Sequence, residues 1–395
     1  TGERGAQVVV GGHPVGHLSA RDYRARRAEW WEAVTGAWAR LSAEADVVVL
    51  EGAGSPAEVN LRAGDLVNMA MAHHADARVL LVGDIDRGGV FASLYGTLAW
   101  LDAADRARVA GLVVNRFRGD PEILRPGLAP LEERCGVPVV GVVPMRADIP
   151  VDEEDSLDLP ASTGLVDICV LRFPTVSTFT YLGPLARMLG VGLRGAARPE
   201  EVGNPDLLVL PGAKDTLGDV RWLHARGLDR SVHAAAARGI PVLGLCGGYQ
   251  ALGRVVRDGG DAVEGLGLLP VETTMAPDKT VRPITTRTRG GWLLPAGLPC
   301  EGYEIHHGVT AAADPLLDGD GAVRGLVAGT YLHGLFERAE VAEALVARLR
   351  ERKGLPAATP ARRLARTAAY DALADHLEAH LDLARALGPL PGRHA

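Results

Sequence analysis

Cysteine is scarce: four in 395 residues, Cys135, Cys169, Cys246 and Cys300, far apart and with no C-x-x-C pair. This excludes a disulfide framework and a cysteine zinc site, and it fits a reducing cytosol. No apolar run approaches the roughly 18 residues of a membrane helix, and the start Thr1-Gly2-Glu3-Arg4 carries no signal-peptide pattern. The expectation is a soluble, cytoplasmic protein with no membrane partner. Basic charge is not in excess either, with 42 Lys+Arg against 49 Asp+Glu and a net charge of −7. Nucleic acid is therefore not expected as a partner, because phosphate binding needs a concentrated basic face. Disorder is excluded by a hydrophobic content of 47%. At about 150 residues per domain, the length suits two or three domains. The chain opens on Thr rather than Met and runs almost at once into the strand-like Gln7-Val8-Val9-Val10, which reads as an N-terminally cut piece of something longer.

What is present is an α/β alternation. Short apolar runs at Asp46–Leu50, Arg78–Val82, Gly111–Val114 and Val137–Val143 separate longer amphipathic stretches. Each run is apolar on both faces, as in a parallel sheet covered by helices on both sides. The runs end in turns, Glu51-Gly-Ala-Gly54, Gly83-Asp-Ile-Asp86 and Asn115-Arg116, and ligands of open parallel sheets bind at such carboxyl ends. Pro144, Pro150 and Pro160 around the acidic run Asp152–Asp155 predict a linker. A second series of strands is expected near Asp167–Leu171, Leu207–Leu210 and Pro241–Leu245, then an Ala- and Leu-rich helical tail from about Arg362 to Leu387, packed on the surface.

The most informative stretch is Pro241-Val-Leu-Gly-Leu-Cys246-Gly247-Gly248-Tyr-Gln250, followed by the helical run Ala251–Val256. A strand, a tight glycine-flanked turn with one thiol and a departing helix make the elbow that displays a nucleophile. The helix start would favour thiolate, and the Gly247 N–H can stabilise an oxyanion. The competing reading is a buried core cysteine. A base is needed, and His333 in Tyr331-Leu-His-Gly-Leu-Phe336 competes with His306 and His307 in Gly302-Tyr-Glu-Ile-His-His-Gly308. Leu210-Pro-Gly212-Ala-Lys-Asp-Thr216 is either a second oxyanion turn, through the Gly212 N–H, or an ordinary Pro-Gly turn.

Together these motifs resemble the glutamine amidotransferase domain of the cobyric acid synthase family. The stretches Glu51-Gly-Ala-Gly-Ser-Pro-Ala-Glu-Val-Asn-Leu61, Gly83-Asp-Ile-Asp-Arg-Gly-Gly-Val-Phe91 and Val114-Asn-Arg-Phe-Arg-Gly-Asp120 resemble its synthetase domain. The resemblance implies two doubly wound α/β domains: an N-terminally incomplete dethiobiotin-synthetase-like, P-loop NTPase-type domain over 1–145, and a class I glutamine-amidotransferase-like domain over 165–350. A linker at 146–164 and a helical tail at 351–395 complete the expected layout. The implied activity is ATP- and glutamine-dependent amidation of the b, d, e and g carboxylates of adenosylcobyrinic acid a,c-diamide. Glutamine and a corrinoid are the implied partners, Cys246 the glutaminase nucleophile and His333 its base. Triad amidotransferases carry a Glu two residues after the His; Leu335 stands there in this chain, and Glu337 is a candidate only by proximity.

The resemblance also implies magnesium and ATP, with Glu51 as the metal-binding acid. Asp84, Asp86 and Arg87 could hold metal, phosphate or substrate, or could cap the following helix. Asn115 and Arg116 would lie near the adenine, or form a structural turn. No G-x-x-x-x-G-K-[ST] exists in these residues, and weak ATP binding by the chain as it stands is the expectation. A truncated homologue without a complete ATP cycle, or an amidoligase for another polycarboxylate, are the alternatives.

Overall fold

The computed structural model describes residues 6–146, 148–149, 151, 163–176, 179–356 and 366–388. Contacts divide the chain into two units, Glu3–Val151 with Arg366–Ala395, and Asp152–Ala365. The acidic run Asp152–Asp155 lies outside the described residues, as do the first residues of the tail stretch.

The first unit opens with an antiparallel hairpin, β1 (Ala6–Val10) on β2 (His13–Leu18), turning through Gly11 and Gly12, both at positive φ. The valine run at the start thus pairs with its own neighbour in sequence. Three parallel strands follow, β3 (Val79–Asp84), β4 (Val109–Phe117) and β5 (Val139–Pro144), in the order β3-β4-β5. Side chains alternate across the sheet. Leu112 and Val114 pack with Leu94, Leu98 and Leu131 of the helices Val90–Trp100 and Pro121–Cys135. Val113 and Val140 face the other way and meet Leu377, Leu381 and Ala386. The Ala- and Leu-rich tail is therefore part of this unit. Its helices Arg366–His380 and Leu383–Leu387 cover the second sheet face, with the Asp382 N–H donating to Val140 O at 2.7 Å and His376 Nε2 to Pro144 O at 2.8 Å.

One expected strand does not form. Residues 46–50 have no regular structure, and Val47, Val49 and Leu50 are exposed, Val49 by 89%. A strand needs a hydrogen-bonded neighbour as well as β-branched side chains, and this run pairs with none of the described strands.

In the second unit, a six-stranded sheet is built from β6 (Val166–Leu171), β7 (Val191–Ala196), β8 (Leu207–Leu210), β9 (Val242–Leu245) and two later strands. A second, four-stranded sheet holds β10 (Val255–Asp258), β11 (Asp261–Glu264) and the long antiparallel pair β12 (Glu272–Arg289) and β13 (Ala296–Thr310). The first sheet closes with β14 (Ala322–Arg324) and β15 (Val327–Thr330), in the order β14-β15-β9-β8-β6-β7, parallel except for the edge strand β14. Every residue of β8 and β9 is buried, as the doubly apolar runs required. The helix after Cys246 is shorter than its pattern predicted. It spans Gly247–Leu252, and the β-branched Val255 and Val256 enter β10, paired with β11 and β12.

Candidate active site

The carboxyl ends of four adjacent strands, β15, β9, β8 and β6, converge in the second unit. Past β9 stands Cys246, past β8 Gly212, past β15 His333, and past β6 the segment that carries Tyr181. Residues separated by up to 152 positions are thus neighbours because their strands are.

Cys246 takes φ 49°, ψ −109°, a left-handed backbone that a side chain rarely adopts and that costs on the order of 1–3 kcal/mol. Hydrogen bonds hold it there: its N–H donates to Thr330 O at 2.9 Å, and its carbonyl accepts from the Gln250 N–H at 3.1 Å. The elbow lies flat on the β8 turn, with the Gly248 N–H on Pro211 O at 3.0 Å. A Cβ at Gly248 would collide with the Leu210 carbonyl, which is why the sequence has glycine there. The thiol itself is buried, 3.8 Å from Ile305 O of β13. Burial pushes it up to about 11; the Gly247 N–H and the Lys279 ammonium pull it down, and Asp320 pushes it further up. The expected resting thiolate is therefore a thiol. A six-residue helix and one N–H do not offset the loss of water.

His333 is 6% exposed, and among the described residues its Nε2 has no hydrogen-bond partner. Its backbone forms an antiparallel bridge with Tyr303 of β13, N–H to O at 2.9 and 3.0 Å. Gly302 permits this approach, since a Cβ there would meet the His333 carbonyl. The ring stacks on Tyr303, centroids 5.1 Å apart and 9° from parallel, and meets Tyr181 edge-on at 5.8 Å. Burial first, then His306 and Lys279, lower its pKa to about 4. The imidazole is accordingly neutral, with a free nitrogen able to take a proton.

The rival histidines are tied differently. His306 Nδ1 lies 2.8 Å from Gly308 O, and its ring is stacked on Tyr331 at 3.7 Å. Its Nε2 is 3.7 Å from Glu304 Oε2, a carboxylate also bound by Arg282 Nε at 2.9 Å. His307 Nδ1 lies 3.1 Å from Ala276 O. Beneath the elbow runs a buried chain of hydroxyls. Thr216 Oγ1 donates to Gln250 Oε1 at 2.7 Å, Gln250 Nε2 donates to the Tyr331 hydroxyl at 3.3 Å, and that hydroxyl pairs with Thr310 Oγ1 at 2.6 Å. Asp320 fixes the end of β15 by accepting from Thr330 Oγ1 and from the Tyr331 N–H. Tyr181, Tyr303 within the quoted Gly-Tyr-Glu-Ile-His motif, Lys279 and Asp320 carried no chemical signal in the sequence. The Gly212 N–H, read in the sequence as an oxyanion donor or as part of an ordinary turn, donates to the Tyr181 hydroxyl at 2.8 Å.

In the first unit the candidates stand apart. Asp84 caps the short helix Ile85–Arg87 through the Asp86 N–H at 2.9 Å, the capping alternative of the sequence reading. Asp86 is clamped by Arg118 at 3.0 Å and Arg116 at 3.3 Å, which hold its carboxyl below the usual range, Arg118 most strongly. Arg116 has φ 59°, and its N–H donates to Asn115 Oδ1. Among the described residues no group of three or more His, Cys, Asp or Glu could hold a metal ion. Glu51 is exposed, on the irregular segment after residue 50. Ser55, Pro56 and Glu58 line a cavity of about 190 Å³ with Tyr23, Arg62, Asp65 and Asn68. Asp65 is consumed locally by the N–H groups of Val67, Asn68 and Ala70.

Known proteins are similar to this chain in sequence. A family described as the CobB/CobQ-like glutamine amidotransferase domain matches residues 167–341, and one described as an AAA domain matches 17–151. The chain is 47% identical to a cobyric acid synthase of Desulforudis audaxviator, over 90% of this chain and 76% of that one. It is 44% identical to the cobyric acid synthase of Sorangium cellulosum, over 97% and 82%, and 45% identical to that of Mycobacterium marinum, over 96% and 77%. No helix among the described residues is long and apolar enough to cross a membrane.

Proposed function

Because the chain belongs to the cobyric acid synthase family of ATP-dependent glutamine amidoligases, we propose that it amidates the b, d, e and g carboxylates of adenosylcobyrinic acid a,c-diamide with nitrogen from glutamine. The observation that carries this reading is Cys246, held on a left-handed elbow beside the strand end that presents the buried imidazole of His333, whose Nε2 has no partner among the described residues. In the glutaminase half, the Cys246 thiol proton passes to His333 as sulfur attacks the glutamine carboxamide carbon. Collapse of the tetrahedral intermediate breaks the C–N bond, and His333 returns the proton to the leaving nitrogen, which departs as ammonia. The thioester is hydrolysed by water to glutamate and the free thiol. His333 suits this task because it is neutral and its Nε2 has no hydrogen-bond partner among the described residues, and Tyr303 and Tyr181 pack against its ring.

In the synthetase half, ATP activates the acceptor carboxylate for attack by ammonia. Glu51 is exposed there, and one carboxylate fits magnesium, which takes its remaining ligands from phosphates and water. When bound, that ion would neutralise phosphate charge. Asp84 and Asp86 are occupied as a cap and as an arginine partner; with Asn115 and Arg116 they line the strand ends β3 and β4, where nucleotide would lie. The decisive experiment replaces Cys246 with Ala and follows corrinoid amide formation by mass spectrometry. In the full-length enzyme glutamine should cease to serve, while free ammonia still does. Amidation from glutamine by Cys246→Ala would refute the assignment.

A further inference from the structure

We propose that the Tyr181 hydroxyl is a further catalytic group of the glutaminase site, donating a hydrogen bond to the oxyanion formed when Cys246 attacks the glutamine carboxamide. The inference rests on the reading of Cys246 as nucleophile and adds to it a donor outside the backbone.

Three observations lead there. First, the Gly212 N–H, placed at the end of β8 like an oxyanion donor, already donates to the Tyr181 oxygen at 2.8 Å. A phenol has one proton, so an oxygen that accepts from Gly212 must aim its own proton elsewhere. Second, Tyr181 is 6% exposed, and among the described residues its hydroxyl has no acceptor. Burial raises its pKa far above the ordinary value, so the proton stays on oxygen. A buried donor without an acceptor is unfavourable at rest, and an arriving oxyanion relieves it. Third, the ring sits at the reacting groups. It stands edge-to-face with His333, ring centroids 5.8 Å apart, and the loop that binds its oxygen is packed on the elbow, with a Gly247 Cβ position 2.7 Å from Ala213 Cβ and the Gly248 N–H on Pro211 O. The Gly212 N–H thus polarises the phenol as the phenol polarises the carbonyl, a relay in which no bond to Tyr181 forms or breaks. The C=O electron pair moves onto oxygen as the S–C bond forms, and returns as ammonia leaves.

The test is Tyr181→Phe in the full chain, which keeps the ring against His333 and removes only the hydroxyl. Glutamine hydrolysis should fall about 10²-fold in kcat, with KM within about twofold. Glutamate γ-semialdehyde, which forms a hemithioacetal with Cys246, should bind about as much more weakly as kcat falls. Glutamine affinity, compared between Cys246→Ala and Cys246→Ala/Tyr181→Phe, should stay the same. Ammonia-supported amidation bypasses the site and is the internal control. A kcat within threefold of the parent, or equal weakening of glutamine and aldehyde, overturns the proposal. If Tyr181→Phe does not fold, 3-fluorotyrosine at 181 preserves shape and strengthens the donor; an unchanged kcat then overturns it equally. Should Cys246→Ala still use glutamine, the glutaminase reading itself fails; if Cys246→Ala is inert and Tyr181→Phe is not slowed, only this inference fails.

Discussion

In the second unit each strand that ends at the reacting groups is flanked on both sides: β15 lies between β14 and β9, β9 between β15 and β8, β6 between β8 and β7. In the first unit β3 is an edge strand with Val82 56% exposed, and the apolar run before Glu51 is not a strand at all. Both stretches have nearly the same apolar, β-branched composition. The difference shows that a doubly apolar run becomes a strand, and its terminal residue acquires a defined position, only when a neighbour satisfies its N–H and C=O groups. Cys246 is fixed by such pairing, through Thr330 O; Glu51 is not.

The comparison can be broken most sharply at the base. His333→Asn should lower glutamine hydrolysis by about 10²–10⁴-fold, measured as glutamate release, while Glu51→Gln leaves that half-reaction unchanged and affects only ATP-dependent amidation. Equal losses from both would mean that the two halves are not chemically separate. Next in size, Gly248→Ala places a methyl on the Leu210 carbonyl and should cost on the order of 2–4 kcal/mol in denaturant unfolding, with loss of the elbow; Gly88→Ala, with open space around its Cβ position but φ 75° and ψ 158°, should cost on the order of 1–3 kcal/mol.

A pH experiment tests the burial of His333. Its pKa is about 4 in the fold, against an ordinary 6.5. Between those values the unfolded chain holds more protons than the native one. The stability this neutral imidazole contributes is complete above about pH 6.5 and is lost as pH falls toward 4. The base form persists through the same window, so the acid limb of kcat/KM for glutamine should lie near 4. Tyr303→Ala removes the stacked, half-exposed ring, admits water and should move that limb up toward 6.5; an unmoved limb would show that Tyr303 does not shield the imidazole. The smallest effect is expected at Val49→Ser, within about 0.5 kcal/mol, because the side chain is 89% exposed. A loss of several kcal/mol in thermal unfolding would show that the run 46–50 is paired after all.

Much of this was legible locally. Gly-Leu-Cys-Gly-Gly announces a tight turn because only glycine fits against Leu210 and beside a left-handed cysteine, and the buried strands announce themselves by apolar residues at every position. The helix after the elbow ends sooner than its pattern suggests, since Val255 and Val256 suit a helix and a strand alike and are decided by partners on β11 and β12. Tyr181 was invisible because nothing adjacent to it in sequence is chemical; its role comes from Gly212, 31 residues away.

The sequence by itself determined the α/β class, the elbow at Cys246 and the strand ends where chemistry gathers, because turn geometry and two-sided burial act on consecutive residues. Only the tertiary structure decided that residues 46–50 stay out of the sheet, that the tail completes the first unit, that the thiol rests protonated, and that His333 lies between Tyr303 and Tyr181. Each of these depends on which distant strand or ring takes up a hydrogen bond or excludes water, a property of the assembled fold that no short stretch of chain contains.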